Sequence, residues 1–248
     1  PFWLTLLIIL IGLPLCLPFL YVILRATEVG LTRSVELLFR PRIAELLSNT
    51  MLLMVCVTIG AISLGTLCAF LLERCRFFGK AFFEVAMSLP LCIPAFVSCF
   101  TWISLTFRVE GFWGTIGIMT LSSFPLAYLP VSATLKRLDR SLEEVSLSLG
   151  KSSTYTFWHA IFPQLKPAIG SSILLIALHM LVEFGAVSIL NYETFTTAIF
   201  QEYEMSFNNS SAALLSAVLM AICTIIVFGE IFFRGKQTLY NSGKGVTR

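Results

Sequence analysis

The segment LEEVSLSLGKSSTYTFWHAIFPQLKP, residues 142–167, is polar and helix-forming, although long apolar runs flank it on both sides. Just before and within it, Ser141 and Glu144 have the spacing of a capping box, in which each side chain accepts a hydrogen bond from the other residue's amide. Glu143 and Glu144 also suit the positive end of a helix dipole. A helix is therefore expected to begin at Ser141 and to end before Gly150.

The second half of the segment predicts another short helix. Ser152 or Ser153 can cap its start, and Pro163 is expected to stop it. Its aromatic residues, such as Tyr155 and Trp158, exceed what a solvated loop needs, which indicates a surface covered by a docked partner. An amphipathic helix resting on lipid would show the same pattern, and periodicity does not separate these two interpretations.

The flanking runs define the class of protein. Apolar residues make up 57% of the 248-residue chain, charged residues make up 12%, and the mean hydropathy is +0.88. Several runs of about 20 residues are long enough for a helix to cross a bilayer. The sequence therefore predicts an all-α, polytopic membrane protein. The six predicted spans are 3–24, 50–72, 81–107, 113–135, 167–190 and 211–233.

The basic residues are distributed unevenly between the two sides of the predicted bundle. Residues 73–80, 136–166 and 234–248 hold 12 of the 17 lysines and arginines. The positive-inside rule places these three segments in the cytoplasm. The net charge of +3 is too small to indicate a nucleic-acid partner, and the expected surroundings are the lipid bilayer.

Prolines and small residues within the spans predict local features of packing. Pro90 and Pro94 lie inside the third span, where they can kink it for packing or form a gating hinge. Gly65 and Ala69 have the small-xxx-small spacing that lets two membrane helices approach closely. The seven cysteines include no CxxC pair, so they indicate no metal site.

The loop 141–163 carries a family resemblance. Gly150 follows Glu144 by six positions, and Pro163 follows Gly150 by thirteen. In this spacing, and in its place before the penultimate span, the loop resembles the EAA loop of the membrane subunits of binding-protein-dependent ABC importers. The departures, for example Val145 where the family often has alanine, fall on apolar packing positions.

The resemblance implies a function for the loop. Its residues Glu143, Glu144, Gly150 and Pro163 would couple this chain to a dimer of cytoplasmic ATP-binding subunits. Gly150 would permit the bend, and Glu144 would hold the first helix and its contact with the partner. The chain has no GxxxxGK[ST] motif, so ATP is expected on the partner subunit and no cofactor on this chain. A non-enzymatic transport subunit of the bacterial inner membrane is implied.

A second stretch narrows the resemblance. The run EFGAVSILNYETFTTAIFQEY, residues 183–203, is similar to a stretch of the ferric-iron permeases of that family. This resemblance implies that Fe(III) is the solute, that a periplasmic binding protein delivers it, and that a second permease half is present, whether fused, homologous or identical. Residues 1–233 are interpreted as one six-helix half and 234–248 as a polar cytoplasmic tail or linker. The start at Pro1, without an initiator methionine, predicts that further residues precede it.

Glu183 and His179 are the candidate residues of the translocation pathway. Glu183 is expected about 16 residues into the fifth span, and an ionisable side chain at that depth usually faces a bundle interior or a water-filled cavity. A carboxylate suits a hard cation, and direct ligation of the metal by Glu183 is a further interpretation. Alternatively, Glu183 reaches the outer headgroups or is hydrogen-bonded within the bundle. His179, four residues earlier, lies on the same face and equally suits a packing role.

Alternative interpretations remain for the outer loop and for the function. The loop at 191–210 has three glutamates and no basic residue, and it is either a surface for the binding protein or a solvated loop. The same architecture can carry a polyamine, sulfate, phosphate or sugar. An ion-coupled secondary carrier would need no ATPase, but no inverted repeat is evident. The absence of HExxH, GxSxG and a histidine cluster disfavours a membrane enzyme.

Overall fold

The structure is a computed structural model that describes residues 2–75, 77–106, 109–139, 141–204 and 209–241. Within these residues every regular element is helical. In chain order the elements are α1 (Phe2–Thr27), α2 (Leu31–Leu38), α3 (Pro41–Arg74), α4 (Lys80–Ala86), a 3-10 turn (Leu89–Cys92), α5 (Ala95–Leu105), α6 (Phe112–Ser123), α7 (Pro125–Arg137), α8 (Ser141–Ser148), α9 (Ser153–Thr156), a π turn (Phe157–Ile161), α10 (Phe162–Val182), α11 (Gly185–Ile189), α12 (Phe195–Glu204) and α13 (Asn209–Asn241).

The apolar helices confirm the predicted class of an all-α, multi-pass membrane protein. Within the described residues, five segments are long and apolar enough to cross a membrane, and the number is six if a bent helix pair is counted as one span. The five are Thr5–Thr27, Pro41–Arg74, Phe112–Arg137, Ser153–Val182 and Asn209–Phe232. The bent pair joins Lys80–Cys92 to Ala95–Leu105.

The third predicted span is not one continuous helix. Its two parts meet at an angle of 98°. Ile93 at the break has φ −104° and ψ 119°, which is extended backbone. The ring of Pro94 disfavours the helical conformation at the residue before it, so the helix has to end there. The proline pair therefore produces a sharp bend, more than the gentle kink of an uninterrupted helix.

The fifth predicted span begins and ends earlier than 167–190. The prediction that Pro163 stops the second loop helix is wrong, because the helix runs on without a break from Ser153 to Val182. Pro163 lies in the first turn of α10, directly after the π turn. Proline has no backbone N–H, so it cannot donate the hydrogen bond of a regular helix. It is tolerated here because the π turn already interrupts the regular pattern of backbone hydrogen bonds.

The predicted polar tail begins within a helix. Helix α13 continues through residues 234–241 and ends at Asn241. The remaining part of the predicted tail, 242–248, lies outside the described residues. The division into a six-helix half and a separate tail therefore stays a prediction.

The chain forms two compact units, one of Pro1–Met51 with Glu193–Ile225 and one of Leu52–Tyr192 with Ile226–Arg248. The larger unit holds a continuous apolar core in which α10 packs against α7. Its fully buried residues include Val57, Met119, Val131, Leu165 and Ile176. This core supports the 141–163 loop, because the loop follows α7 in the chain and its second half continues into α10.

The smaller unit has its own core around Phe195, which is fully buried with Leu46 and Leu215. The hydroxyl of Thr50 accepts a hydrogen bond from the Phe195 amide at 2.9 Å, which satisfies the first amide of α12. Helix α1, by contrast, buries none of its most apolar window within the described part of the chain.

Helix α3 approaches α7 closely at Gly65. A Cβ atom at this position would lie 2.7 Å from the carbonyl oxygen of Phe124 and 2.8 Å from both Ala127 Cβ and the Tyr128 nitrogen. These distances are shorter than ordinary Cβ contacts, so any side chain here would force α3 and α7 apart, and the observed separation requires glycine. The predicted close approach at Gly65 and Ala69 is confirmed, and Ala69 is fully buried.

Candidate functional site

The 141–163 loop bends at a glycine, as its sequence predicted, but only its first helix is short, because the helix that begins at Ser153 continues into α10. Helix α8 ends at Ser148, and α9 begins at Ser153. Gly150 between them has φ +76°, a left-handed conformation that L side chains rarely adopt. Its amide donates to the Leu147 carbonyl at 2.9 Å, and the Lys151 amide donates to the Ser146 carbonyl at 3.2 Å. The bend thereby satisfies the last carbonyls of α8.

The two loop helices are fixed to each other by side chains. The hydroxyls of Ser146 and Thr156 lie 2.8 Å apart and share a hydrogen bond, and Thr156 is buried. Ser152 accepts from the Tyr155 amide at 3.2 Å and so caps α9, which decides between the two predicted caps. The loop is therefore a folded unit with a defined shape.

The start of α8 differs from the predicted capping box. The amide of Ser141, expected to donate to Glu144, donates to Oδ1 of Asp139 at 2.9 Å. This hydrogen bond lowers the pKa of Asp139, because the charged carboxylate is the better acceptor. The carboxylate therefore stays ionised at neutral pH. Its contribution to the helix start is present above the ordinary pKa of aspartate and is lost as the pH falls through the lowered value.

The two adjacent glutamates of α8 point to different surroundings. Oε1 of Glu143 lies 2.5 Å from Nη2 of Arg74, at the end of α3, and both side chains are largely buried. Glu144 is exposed, and its backbone carbonyl accepts from the Ser148 hydroxyl at 2.6 Å. Glu143 thus binds the loop to the end of α3, whereas the Glu144 side chain is exposed on the surface of the chain.

An apolar surface lies beside Glu144. The side chains of Val145 on α8 and of Leu149, directly after its end, are 57% and 73% exposed, and the Leu149 amide donates to the Val145 carbonyl at 3.1 Å. Tyr155 and Trp158 on the second half of the loop are also exposed. Exposing this many apolar and aromatic side chains to water is unfavourable. The surface is therefore suited to contact with a partner protein or with lipid.

The bend makes a direct prediction about Gly150. Nothing lies within 4 Å of the position that a Cβ atom would take at this residue, so only the backbone conformation restricts it. Asparagine tolerates the left-handed conformation, whereas a β-branched residue there costs about 2 kcal/mol. Gly150→Val should therefore speed amide hydrogen exchange at residues 149–151 by roughly thirtyfold, whereas Gly150→Asn should leave it near the wild-type rate. Equal rates for the two variants would contradict the assigned conformation.

Glu183 lies at a helix break, which corrects the predicted position inside a continuous fifth span. Helix α10 ends at Val182, and Glu183 is extended, with φ −69° and ψ 125°. Its Oε1 accepts from the Ala186 amide at 2.9 Å and so caps the short helix α11. The side chain is only 14% exposed. The carboxylate is thus hydrogen-bonded and mostly buried beside the helix break, and its place in a translocation pathway stays a prediction.

His179 lies beside Glu183, as the helical spacing predicted. Its Nε2 is 3.9 Å from Oε2 of Glu183, and the imidazole is 40% exposed. Within the described residues no group of three or more His, Cys, Asp and Glu side chains is placed to hold a metal ion. The pair can thus offer a passing cation two donors of different kinds, a carboxylate and an imidazole.

A charged network that the sequence did not predict joins three helix ends. It consists of Glu73 on α3, Lys80 and Glu84 on α4, and Lys136 on α7. Glu73 is nearly buried, and its Oε1 accepts a hydrogen bond from the Ser132 hydroxyl at 2.7 Å. The ammonium groups of Lys136 and Lys80 lie 3.4 Å and 3.8 Å from the Glu73 carboxylate. The same lysines lie 3.6 Å and 3.7 Å from Glu84. The sequence pattern that could have predicted this network is the grouping of acidic and basic residues at the ends of the spans.

The acidic outer loop is partly neutralised within its own unit. Oε1 of Glu193 lies 3.5 Å from Nη2 of Arg42, which also donates to Oε1 of Gln201 at 3.2 Å. Both partners of the ion pair are 61% exposed, so water weakens their attraction. Residues 205–208 of the predicted loop lie outside the described residues.

A multi-pass helical bundle with a folded loop between α7 and the long helix that ends at Val182 is typical of a membrane transport subunit. Comparison with known families is specific: residues 61–234 match the model of the binding-protein-dependent transport system inner membrane component. The chain belongs to this family of ABC importer permeases, which are multi-pass proteins of the inner membrane.

Individual relatives support the same family. The chain is 94% identical over all of its 248 residues to the Fe(3+)-transport system permease protein FbpB 2 of Haemophilus influenzae, and it spans 49% of that relative's length. It is 26% identical over 243 residues to the sulfate transport system permease protein CysT of Escherichia coli, covering 89% of this chain and 87% of that protein.

Solved structures support the fold. One is the crystal structure of a bacterial alginate ABC transporter in complex with an alginate pentasaccharide-bound periplasmic protein. A chain of that complex superposes with a TM-score of 0.71 at 13% identity and covers 92% of each chain. At this identity the likeness concerns the fold alone.

Proposed function

We propose that this chain forms one half of the translocation pathway of an ABC importer for Fe(III), and that a separate cytoplasmic ATPase drives it. The identity of 94% to an Fe(3+)-transport permease carries the proposal of the solute. Because the chain spans 49% of that relative, a second half of the pathway is expected from the remaining length or from another copy.

The 141–163 loop is the proposed ATPase contact. Glu144 and the neighbouring Val145 and Leu149 are exposed together, so the surface offers one charge beside two apolar side chains. Interfaces of this kind bury apolar groups at the centre and satisfy charges at the rim. Gly150 shapes this surface, and Pro163 lies where the loop enters α10.

The energy for transport is proposed to come from the partner subunit. The sequence of this chain has no GxxxxGK[ST] motif, the glycine-rich loop with which such ATPases hold phosphate. Two ATP-binding subunits would close on ATP, and loops of the two permease halves would move with them. A periplasmic binding protein would supply the solute on the opposite side.

Glu183 and His179 are proposed to line the pathway. Both side chains are partly accessible, and they face each other across 3.9 Å beside a helix break. A carboxylate is a preferred donor for a hard cation such as Fe(III). Because two donors hold a cation weakly, such a site favours transit over retention.

Uptake of radiolabelled Fe(III) tests the proposed solute. The cells lack their own ferric importer and express the full-length permease with its binding protein and ATPase. We expect iron uptake that depends on all three proteins and that excess sulfate does not reduce. Sulfate uptake without iron uptake would contradict the iron proposal and would favour the solute that the CysT relatives carry according to their names.

The pathway proposal predicts the effect of Glu183→Gln. Glutamine keeps a side-chain oxygen for the Ala186 amide, so the helix break should survive, whereas the negative charge is lost. The rate of Fe(III) uptake should fall by roughly tenfold, a loss of about 1.4 kcal/mol of stabilisation along the pathway. The exposed Glu36 on α2 gives a matched control, and Glu36→Gln should transport normally. Normal uptake by Glu183→Gln would restrict Glu183 to capping α11.

A further inference from the structure

The last turns of α3 hold both halves of the 141–163 loop. Phe70 and Arg74 are four residues apart, so they lie on one face of the helix. The sequence alone predicted no contact of either residue with the loop. In the structure each of them contacts a different part of the loop.

Arg74 contacts the first half of the loop. Its Nη2 lies 2.5 Å from Oε1 of Glu143, with the two side chains 10% and 19% exposed. Its Nη1 donates to the Leu135 carbonyl at 3.4 Å, and its buried Nε has no hydrogen-bond partner within the described residues. A buried guanidinium with so few acceptors depends on the Glu143 carboxylate for its compensation, so this ion pair resists separation.

Phe70 contacts the second half of the loop. Its ring packs edge to face against the ring of Phe157, with the centroids 5.1 Å apart. Phe157 opens the π turn between α9 and α10. Edge-to-face ring pairs favour one mutual orientation. A charged contact and an aromatic contact, one helical turn apart, therefore fix the loop to α3 at two points.

The Glu73 network continues from this point into the bundle. Glu73 precedes Arg74 and is linked to α7 through Ser132 and Lys136, and to α4 through Lys80. A displacement of the end of α3 would therefore alter contacts with two further helices. Packed cores and buried ion pairs respond to such a displacement as units, since partial separation leaves charges uncompensated.

We propose that Phe70 and Arg74 are positioning residues that transmit movement of the 141–163 loop to α3, and through the Glu73 network to α4 and α7. The inference rests on the proposed function in one respect, that an ATPase moves the loop. It adds a route from the loop into the bundle that does not pass along the backbone of α10.

Hydrogen exchange of the complex in lipid nanodiscs tests this route. The full-length permease with its bound ATPase is compared without nucleotide and with ATP plus vanadate. In the wild type we expect nucleotide to change the exchange of amides in the loop and in the last turn of α3. In Arg74→Gln the loop should exchange roughly tenfold faster without nucleotide, and the response of α3 should be lost.

Two variants separate transmission from loss of structure. The exchanged pair Arg74→Glu with Glu143→Arg should restore the response of α3, because the ion pair forms with its charges reversed. Arg137→Gln, at the exposed end of α7, is the matched control and should behave as the wild type. Phe70→Ala should speed exchange of the second loop half by roughly tenfold and weaken the α3 response.

The outcomes are distinguishable. An unchanged α3 response in Arg74→Gln, or an exchanged pair that restores nothing, would overturn the proposed route. A wild type that binds the ATPase but shows no nucleotide response in α3 would also overturn it. A permease that binds no ATPase would instead contradict the proposed function on which the route rests.

Discussion

Replacing Gly65 with leucine is expected to prevent the permease from reaching its folded state. The new side chain would meet the backbone of Phe124 and Tyr128 at less than 3 Å, and backbone atoms of a packed helix cannot move aside alone. The helices would have to separate along their whole contact. The cost should be at least about 3 kcal/mol, the upper end of the usual range for overpacking. In a marginally stable bundle this loss removes most of the folded population.

Size-exclusion chromatography of the detergent-solubilised, fluorescently tagged protein measures this effect. We expect Gly65→Leu to lose the monodisperse peak, and Gly65→Ala to retain it at a lower melting temperature. At Gly229 on α13 a Cβ atom would have nothing within 4 Å, so Gly229→Leu is the size-matched control and should keep the peak. A stable, monodisperse Gly65→Leu protein would contradict the observed contact between α3 and α7.

Replacing Val145 and Leu149 together by aspartate is expected to detach the ATPase subunit. Both side chains are exposed, Val145 on α8 and Leu149 directly after it, so the change should leave the loop folded while removing the apolar centre of the proposed contact. Losing the burial of two such side chains should cost about 3 kcal/mol, or roughly a hundredfold in affinity. The two added charges would increase this loss if the contact excludes water.

The affinity of the purified ATPase for the permease in nanodiscs measures the second effect. Val35 and Phe39, in and directly after α2, are similarly exposed and one turn apart, so the pair Val35→Asp with Phe39→Asp is the control. The control should bind the ATPase with wild-type affinity, since these residues belong to the side predicted to face away from the cytoplasm. Wild-type affinity of the Val145 and Leu149 variant would instead favour a lipid contact for this surface.

The predicted features that agree with the structure are those set by local sequence. Apolar runs of sufficient length produced the spans, and Gly150 between two polar helical stretches produced the bend with its positive φ. The close approach at Gly65 followed from residue size alone. Each of these features depends on neighbouring residues or on one helix face.

The features that sequence reasoning missed depend on contacts between distant residues. Glu143 and Arg74 meet only because the loop folds back on the end of α3. The helix break at Glu183 depends on the Glu183 side chain capping α11. The apolar residues continue on both sides of the break, so hydropathy alone predicts one uninterrupted span. Pro163 predicts a helix stop from sequence alone, because the amino-acid composition does not reveal the π turn that accommodates the proline.

The most direct test of the proposed transport measures iron entry and ATP hydrolysis together. The full-length permease and its ATPase are reconstituted in proteoliposomes, and Fe(III)-loaded binding protein is added outside. We predict that the loaded binding protein stimulates ATP hydrolysis and that radiolabelled iron accumulates inside in proportion to it. Iron that accumulates without ATP, or hydrolysis that responds to sulfate-loaded protein and leaves iron outside, would contradict ATP-driven import of Fe(III) by this permease.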